Sequence, residues 1–373
     1  MDQPGASDPS SAAEGTQPPI ESTEAPVQPP GPVVEVPGFR DGIARSLDLC
    51  LKATDRLRRA SIYIGLQYLA ILAPTLLVLV LILTRHPEVA DAIGRVSNGE
   101  VVSLADQQRA GSLLVVAIPG FLIAVLGLTA LAIDGAIIGM AILAGMLVDR
   151  PVALRASVAW ARTRFWGVIR AGLLIGIPTA ILNWFLTEAF GPIFGRESDA
   201  TFLISSTLSA FALLPFVYTS VGVVLGDVGA AEAARRSIRL ERARMRLAVL
   251  IAAVSAAIGV IQVFAFGSGG DLLVRIATAL GLGFDRGTLP ALATVVILLA
   301  AIAALGSLTF TVTAIASAPQ VIGFMSLTGY LDAVDRVSAS SAGGGVAWLS
   351  RTMLVGIGLS VLFALLAVAS LPA

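Results

Sequence analysis

Long apolar runs, separated by short basic segments, occupy most of the chain. Residues 62–84 form a run of 23 positions without a charge, and about 20 apolar residues are enough for a helix to cross a membrane. The pattern predicts an all-α integral membrane protein with six to seven transmembrane helices. Further spans are predicted at about residues 121–148, 166–190, 201–226, 247–266 and 289–318, with an additional C-terminal span within 346–373.

Proline sets the expected boundaries of two spans. Residues 112–148 carry one charge, at Asp134, and as a single helix they would be about 55 Å long against a hydrocarbon core of about 30 Å. We therefore expect the span to begin near residue 121, with the stretch before Pro119 at the outer interface. We also expect Pro319 to end the span that begins near residue 289.

The N-terminal segment has a different composition. Residues 1–38 hold nine of the 19 prolines, six acidic residues and no basic residue, so we expect a disordered tail that is not a secretory signal. Residues 39–345 are the predicted membrane domain. In its first segment, residues 39–61, apolar residues recur with helical spacing on one face and basic residues lie elsewhere. This pattern predicts an amphipathic helix in the headgroup region.

The basic residues predict the orientation. With the N-terminus inside, 19 of the 25 basic residues fall in cytoplasmic segments, as the positive-inside rule requires. Arginine outnumbers lysine 24 to 1, and alanine and glycine are abundant, which is typical of GC-rich bacterial genomes. We therefore expect a bacterial cytoplasmic (inner) membrane protein with its N-terminus in the cytoplasm.

The chain contains an internal similarity. Residues 153–164 superpose on residues 233–244 at a shift of 80, with five of 12 positions identical. Both segments follow one apolar run and precede another, which favours a duplicated unit of one basic interfacial helix and two spans. Two spans per unit keep every copy in the same orientation, so the repeats would be parallel.

The second basic segment carries an arginine stripe. Four arginines recur at i, i+4, i+7 and i+11, which places them on one helix face. Such a stripe attracts anionic headgroups, at about 1 kcal/mol per residue; the alternative is that these arginines only fix topology. Both interpretations apply to the stripe, Arg235, Arg239, Arg242 and Arg246, and to the other arginines of the two segments, Arg155, Arg162, Arg164, Arg236 and Arg244.

Asp134 is the main candidate for membrane-embedded chemistry. It lies about 21 Å from the inner end of its predicted span, and a carboxylate at that depth must face protein or water or be protonated. Asn183 and Gln262 fall at similar depths in other spans. The three residues form a predicted site for a substrate or a proton, or else they only hydrogen-bond helices together. The series Ser307, Thr309, Thr311 and Thr313 predicts close helix packing.

The composition excludes several kinds of site. One cysteine, Cys50, and one histidine, His86, rule out an intrachain disulfide and a metal site built from those residues. We find no metal motif, no phosphate-binding glycine loop and no catalytic constellation, and we expect no cofactor and no nucleic-acid partner. The expected partners are membrane lipid, chiefly anionic headgroups, and a protein.

Three segments together resemble a known group of bacterial membrane proteins. They are FRDGIARSLDLCLKATDRLRRASIYI (39–64), DRPVALRASVAWARTRFWGVI (149–169) and GDVGAAEAARRSIRLERARMRLAVL (226–250). The sequence resembles the membrane domain attached to some glycerophosphoryl diester phosphodiesterases, over residues 39–338, and GYLDAVDR (329–336) is similar to the motif that follows that family's last span. The catalytic barrel is absent from this sequence, so the resemblance implies no phosphodiesterase activity.

Three functional classes remain open. The first is a non-enzymatic membrane protein that organises lipid or partner proteins through its basic cytoplasmic helices. The second is a small-molecule or lipid transporter with a polar site around Asp134. An integral membrane enzyme is the third, and the scarcity of histidine and cysteine weighs against it.

Overall fold

The computed structural model describes residues 38–86, 103–195, 198–258, 288–329, 332–340 and 351–370, with single positions 88, 95 and 260. Within these ranges the regular structure is helical and contains no strand. The predicted tail, Gln262 and the second half of the 247–266 run lie outside the described residues. The helices are α1 (Phe39–Lys52), α2 (Thr54–Arg85), α3 (Leu104–Leu147), α4 (Leu154–Phe194), α5 (Asp199–Ala212), α6 (Thr219–Leu225), α7 (Ala230–Ala243), α8 (Met245–Ile258), α9 (Thr288–Thr328), α10 (Asp332–Ala339) and α11 (Arg351–Ser370).

Four of these helices are long and apolar enough to cross a membrane, within α2, α3, α4 and α9. The bent pair formed by α5 and α6 gives a fifth candidate if it counts as one span. Large apolar side chains such as Leu66, Leu173 and Trp184 are more than half exposed. Contiguous apolar surface of this kind suits a lipid environment, so the described helices are compatible with a membrane protein.

Proline does not interrupt the long helices. α3 continues through Pro119 and α9 continues through Pro319, whereas the sequence predicts a boundary at each proline. A proline inside a helix removes one backbone hydrogen bond, and membrane helices tolerate that loss because neighbouring helices compensate locally. At Pro119 the next residue, Gly120, leaves room for the Phe363 ring of α11.

The two basic segments of the predicted repeat differ in how they continue. Residues 154–164 run directly into the apolar part of α4, a single helix of 41 residues. Residues 230–243 form α7, a separate helix whose C-terminal cap, Arg244, has a non-helical backbone conformation. Both segments are helical, but only the second is a distinct amphipathic element.

The helices α2, α3 and α9 form the centre of the core, and α11 lies against α2 and α3. Ser61 of α2 donates a hydrogen bond to the Ser307 carbonyl of α9 at 3.2 Å, and Ser307 donates one back to the Ser61 carbonyl at 3.0 Å. Ser360 of α11 donates a bond to the Ile71 carbonyl of α2 at 3.0 Å. These interhelical bonds join α2 to α9 and to α11.

Candidate functional site

Asp134 is buried in the helix bundle. Its exposed fraction is 2%, and it lines a cavity of about 460 Å³ between α3, α4 and α11. Arg162 of α4 lines the same cavity. The remaining described lining is apolar or aromatic, including Leu126, Trp166 and Leu359. We call this space the Asp134 cavity.

Two polar residues of α2 extend this site. Tyr63 is hydrogen-bonded to Gln67 one helical turn away, and it interacts electrostatically with both Asp134 and Arg162. Gln67 is 2% exposed, and its Nε2 atom has no hydrogen-bond partner among the described residues. Three helices therefore bring one carboxyl, one guanidinium, one phenol and one amide together inside an apolar environment.

This arrangement can hold a polar group next to an apolar one. Opposite charges inside a low-dielectric region compensate each other and reduce the cost of burying either. A cavity with mostly apolar walls and a few convergent polar groups is the usual form of a small-molecule site. Nothing in the arrangement resembles a nucleophile with its base, and no group of three His, Cys, Asp or Glu suited to a metal occurs in the described part of the chain.

The four arginines of the predicted stripe are all exposed, but the helix breaks at Arg244, before the fourth of them. Arg235, Arg239 and Arg242 belong to α7, and Arg246 follows in the first turn of α8; all four are exposed. The opposite face of α7 is buried through Ala233, and it is also held by Ser237, which donates a hydrogen bond to the Pro215 carbonyl at 2.7 Å. We call this surface the α7 arginine stripe.

Glu232 compensates part of the charge beside the stripe. Its carboxylate accepts a hydrogen bond from Arg236 at 2.9 Å and pairs with Arg239 at 3.4 Å. The hydrogen bond from Arg236 is the main reason that the pKa of Glu232 lies below its ordinary value, and the charges of Arg236, Arg239 and Arg235 lower it further. Arg236 is thus engaged with Glu232 on α7.

The other predicted lipid-binding arginines have different environments. Arg155 and Arg244 are exposed, whereas Arg162 lines the Asp134 cavity. Arg164 is mostly buried, pairs with Asp227 at the turn before α7 and lies over the Trp160 ring at 4.3 Å. These last two side chains therefore contact protein groups, which a count of positive charges along the sequence does not reveal.

Asp227 joins three parts of the described chain. Besides Arg164 of α4, it pairs with Arg336 of α10 at 3.1 Å. Asp227 itself adopts a left-handed backbone conformation, with φ of 54°, which aspartate tolerates better than most residues. We call these contacts the Asp227 network, and they place Arg336, the last residue of the GYLDAVDR motif, beside the first basic segment and the turn before α7.

Asn183 lines a second cavity and is not among the residues that line the Asp134 cavity. Of the three residues predicted to share a polar site, two therefore lie apart, and the third, Gln262, lies outside the described residues. The sequence pattern did not predict that Tyr63, Gln67 and Arg162 lie at the same site as Asp134. Tyr63 and Gln67 stand at i and i+4 inside the first apolar run, which is a signal for a polar face on that helix.

Comparison of the chain with known protein families, curated protein sequences and solved structures found no match. The resemblance to the membrane domain of glycerophosphoryl diester phosphodiesterases therefore stays a prediction based on the sequence segments alone. Two candidate functional sites therefore stand on the structure itself, the Asp134 cavity and the α7 arginine stripe.

Proposed function

We propose that this chain is a non-enzymatic bacterial inner-membrane protein that binds anionic lipid at its cytoplasmic face and so organises lipid or partner proteins there. In this proposal the chain has six to seven spans, arranged as parallel repeats, and its N-terminus lies in the cytoplasm. The excess of basic residues on that side supports the orientation.

The main observation in support of the proposal is that α7 exposes its arginines while its opposite face packs against the protein. Its four side chains are exposed together, while the buried face of α7 is fixed to the bundle through Ala233 and Ser237. A row of cations on a helix whose backbone is held in place attracts anionic headgroups, and the backbone need not be ordered on binding. A topological role alone does not require Arg235, Arg239 and Arg242 to share one face of α7.

The test replaces all four stripe arginines by glutamine in the full chain. We expect retention of phosphatidylglycerol, measured by native mass spectrometry in a neutral detergent, to fall by at least about tenfold, since each arginine contributes about 1 kcal/mol. The matched control replaces the same four arginines by lysine, which keeps the charge and should keep the binding. Equal retention by the glutamine and wild-type proteins would refute the proposal.

A second candidate function is transport of a small molecule or lipid through the site around Asp134. The specific observation in its favour is that Asp134 and Arg162 line one cavity, and buried charges in membrane helices often mark transport pathways.

Asp134→Asn tests this second candidate, because it removes the charge and changes the shape of the side chain little. The transport hypothesis expects Asp134→Asn to abolish flux and to release a co-purifying small molecule while the protein stays folded. If native mass spectrometry finds the same bound molecules in both proteins, Asp134 is a structural residue.

A further inference from the structure

The cavity that contains Asn183 is larger than the Asp134 cavity and has a different chemistry. Its volume is about 870 Å³, and α4, α5, α6, α8 and α9 contribute to its walls. No charged residue is among the described residues that line it. Its polar lining consists chiefly of hydroxyl and amide side chains, namely Thr179, Asn183, Ser206, Ser209, Ser220 and Ser255. We call this space the hydroxyl-lined cavity.

Two polar atoms of this cavity are buried without a partner. Ser209 is 4% exposed, and its Oγ atom makes no hydrogen bond with any described residue. The Oδ1 atom of Asn183 is also buried and makes no hydrogen bond with any described residue. Buried polar atoms are costly when unsatisfied and are ordinarily paired with protein, water or ligand. Both side chains line one cavity, but neither oxygen is itself exposed to it, so a single bound molecule can pair with both once the two side chains rotate toward it.

A broken helix forms part of the wall. The segments Ala200–Ala212 and Leu214–Leu225 are bent by 57° relative to each other, and Phe216 and Val217, between the bend and α6, line the cavity. Ser209 lies one turn before the bend. Irregular backbone within a membrane is tolerated where it is buried in protein or lines a cavity, and broken helices commonly form binding sites in membrane proteins.

We propose that the hydroxyl-lined cavity binds the neutral, hydroxyl-bearing group of a lipid or of a small polyol. Hydroxyls and amides both donate and accept hydrogen bonds, so they match a group that does the same. The absence of charge in the described lining disfavours an ionic headgroup, whose burial would need a counter-charge. The apolar walls, which include Ile175 and Phe202, suit an adjoining acyl chain.

The experiment uses the full chain in lauryldimethylamine oxide, a detergent without hydroxyl groups, and native mass spectrometry. Three probes are added separately: monooleoylglycerol, methyl oleate and glycerol. We expect monooleoylglycerol to be retained and methyl oleate, which has the same chain but no hydroxyl, to be lost. If glycerol is retained as well, the cavity binds free polyols. If glycerol is lost, the hydroxyl-bearing group must belong to a lipid. Equal retention of the two oleoyl compounds, or retention of no probe, would overturn the proposal.

Ser209→Ala should lower retention by about three- to tenfold, the usual effect of losing one neutral hydrogen bond. The matched control is Ser205→Ala, one turn earlier on α5, because Ser205 is also buried but already donates its hydroxyl to the Phe202 carbonyl at 3.2 Å. Asn183→Leu, of similar size, is a second independent variant. If retention is the same in wild type, Ser209→Ala and Asn183→Leu, the assignment of the site is wrong.

Discussion

Small residues decide how closely α2 and α9 approach. A β-carbon added at Gly65 would overlap Ser307 Oγ and would also lie too close to the Ala303 carbonyl oxygen. On the opposite helix, a β-carbon at Gly306 would meet the Tyr68 ring. Because both glycines lack that carbon, the backbones come near enough for Ser61 and Ser307 to exchange hydrogen bonds, which is the packing mode that membrane helices favour.

Gly65→Ala should therefore destabilise the protein by about 1–3 kcal/mol, the usual range for an overpacked core. The measurement is thermal or denaturant unfolding of the detergent-solubilised chain, followed by tryptophan fluorescence. Gly172→Ala is the matched control, since no atom lies within 4 Å of a β-carbon added there and alanine is the better helix former. Destabilisation of both variants to the same extent would contradict the packing argument.

At the scale of single helices, arginine spacing predicts the exposure of the arginines in α7 but not in α4. The arginine spacing of α7 predicts one exposed face, and the structure has that face exposed. α4 contains a similar spacing, yet its arginines are divided between the surface, the Asp134 cavity and the Asp227 network. The difference is physical: α7 lies beside the bundle with one face uncovered, whereas the start of α4 contacts protein on several sides.

Glu232→Gln should strengthen binding of anionic lipid to α7 by roughly two- to fivefold, because it removes a negative charge beside the stripe. In the wild type the pKa of Glu232 is lowered, so its stabilising ion pairs are present above the unfolded-state pKa and are lost as the pH falls through the lower folded-state pKa. Phosphatidylglycerol retention by the wild type and the variant at pH 7 measures the effect. Glu241→Gln, on the same helix, is the control, and an equal gain in both variants would contradict a specific role for Glu232.

At the scale of the whole molecule, the apolar runs predict the helical class and the approximate positions of the long helices. They do not predict where a helix ends, because Pro119 and Pro319 are accommodated inside helices by tertiary packing. Asp134 could be identified from its sequence position alone, since a charge within a long apolar run needs a specific environment. Its neighbours Tyr63 and Arg162 could not, because their proximity depends on how α2, α3 and α4 meet.

The length of the long helices has a consequence for the surrounding bilayer. The apolar part of α3 spans 33 residues, which is about 50 Å of helix against a hydrocarbon core of about 30 Å. Even a tilt of about 40°, near the upper end of what membrane helices adopt, leaves about 38 Å to be covered. The candidate span in α9 is 36 residues long, so it also exceeds the thickness of the hydrocarbon core. Where α3 and α9 cross a membrane over these full lengths, the adjacent lipid must stretch or the helices must bend, so the protein should concentrate where the membrane is thickest and should thicken it locally where it is thin.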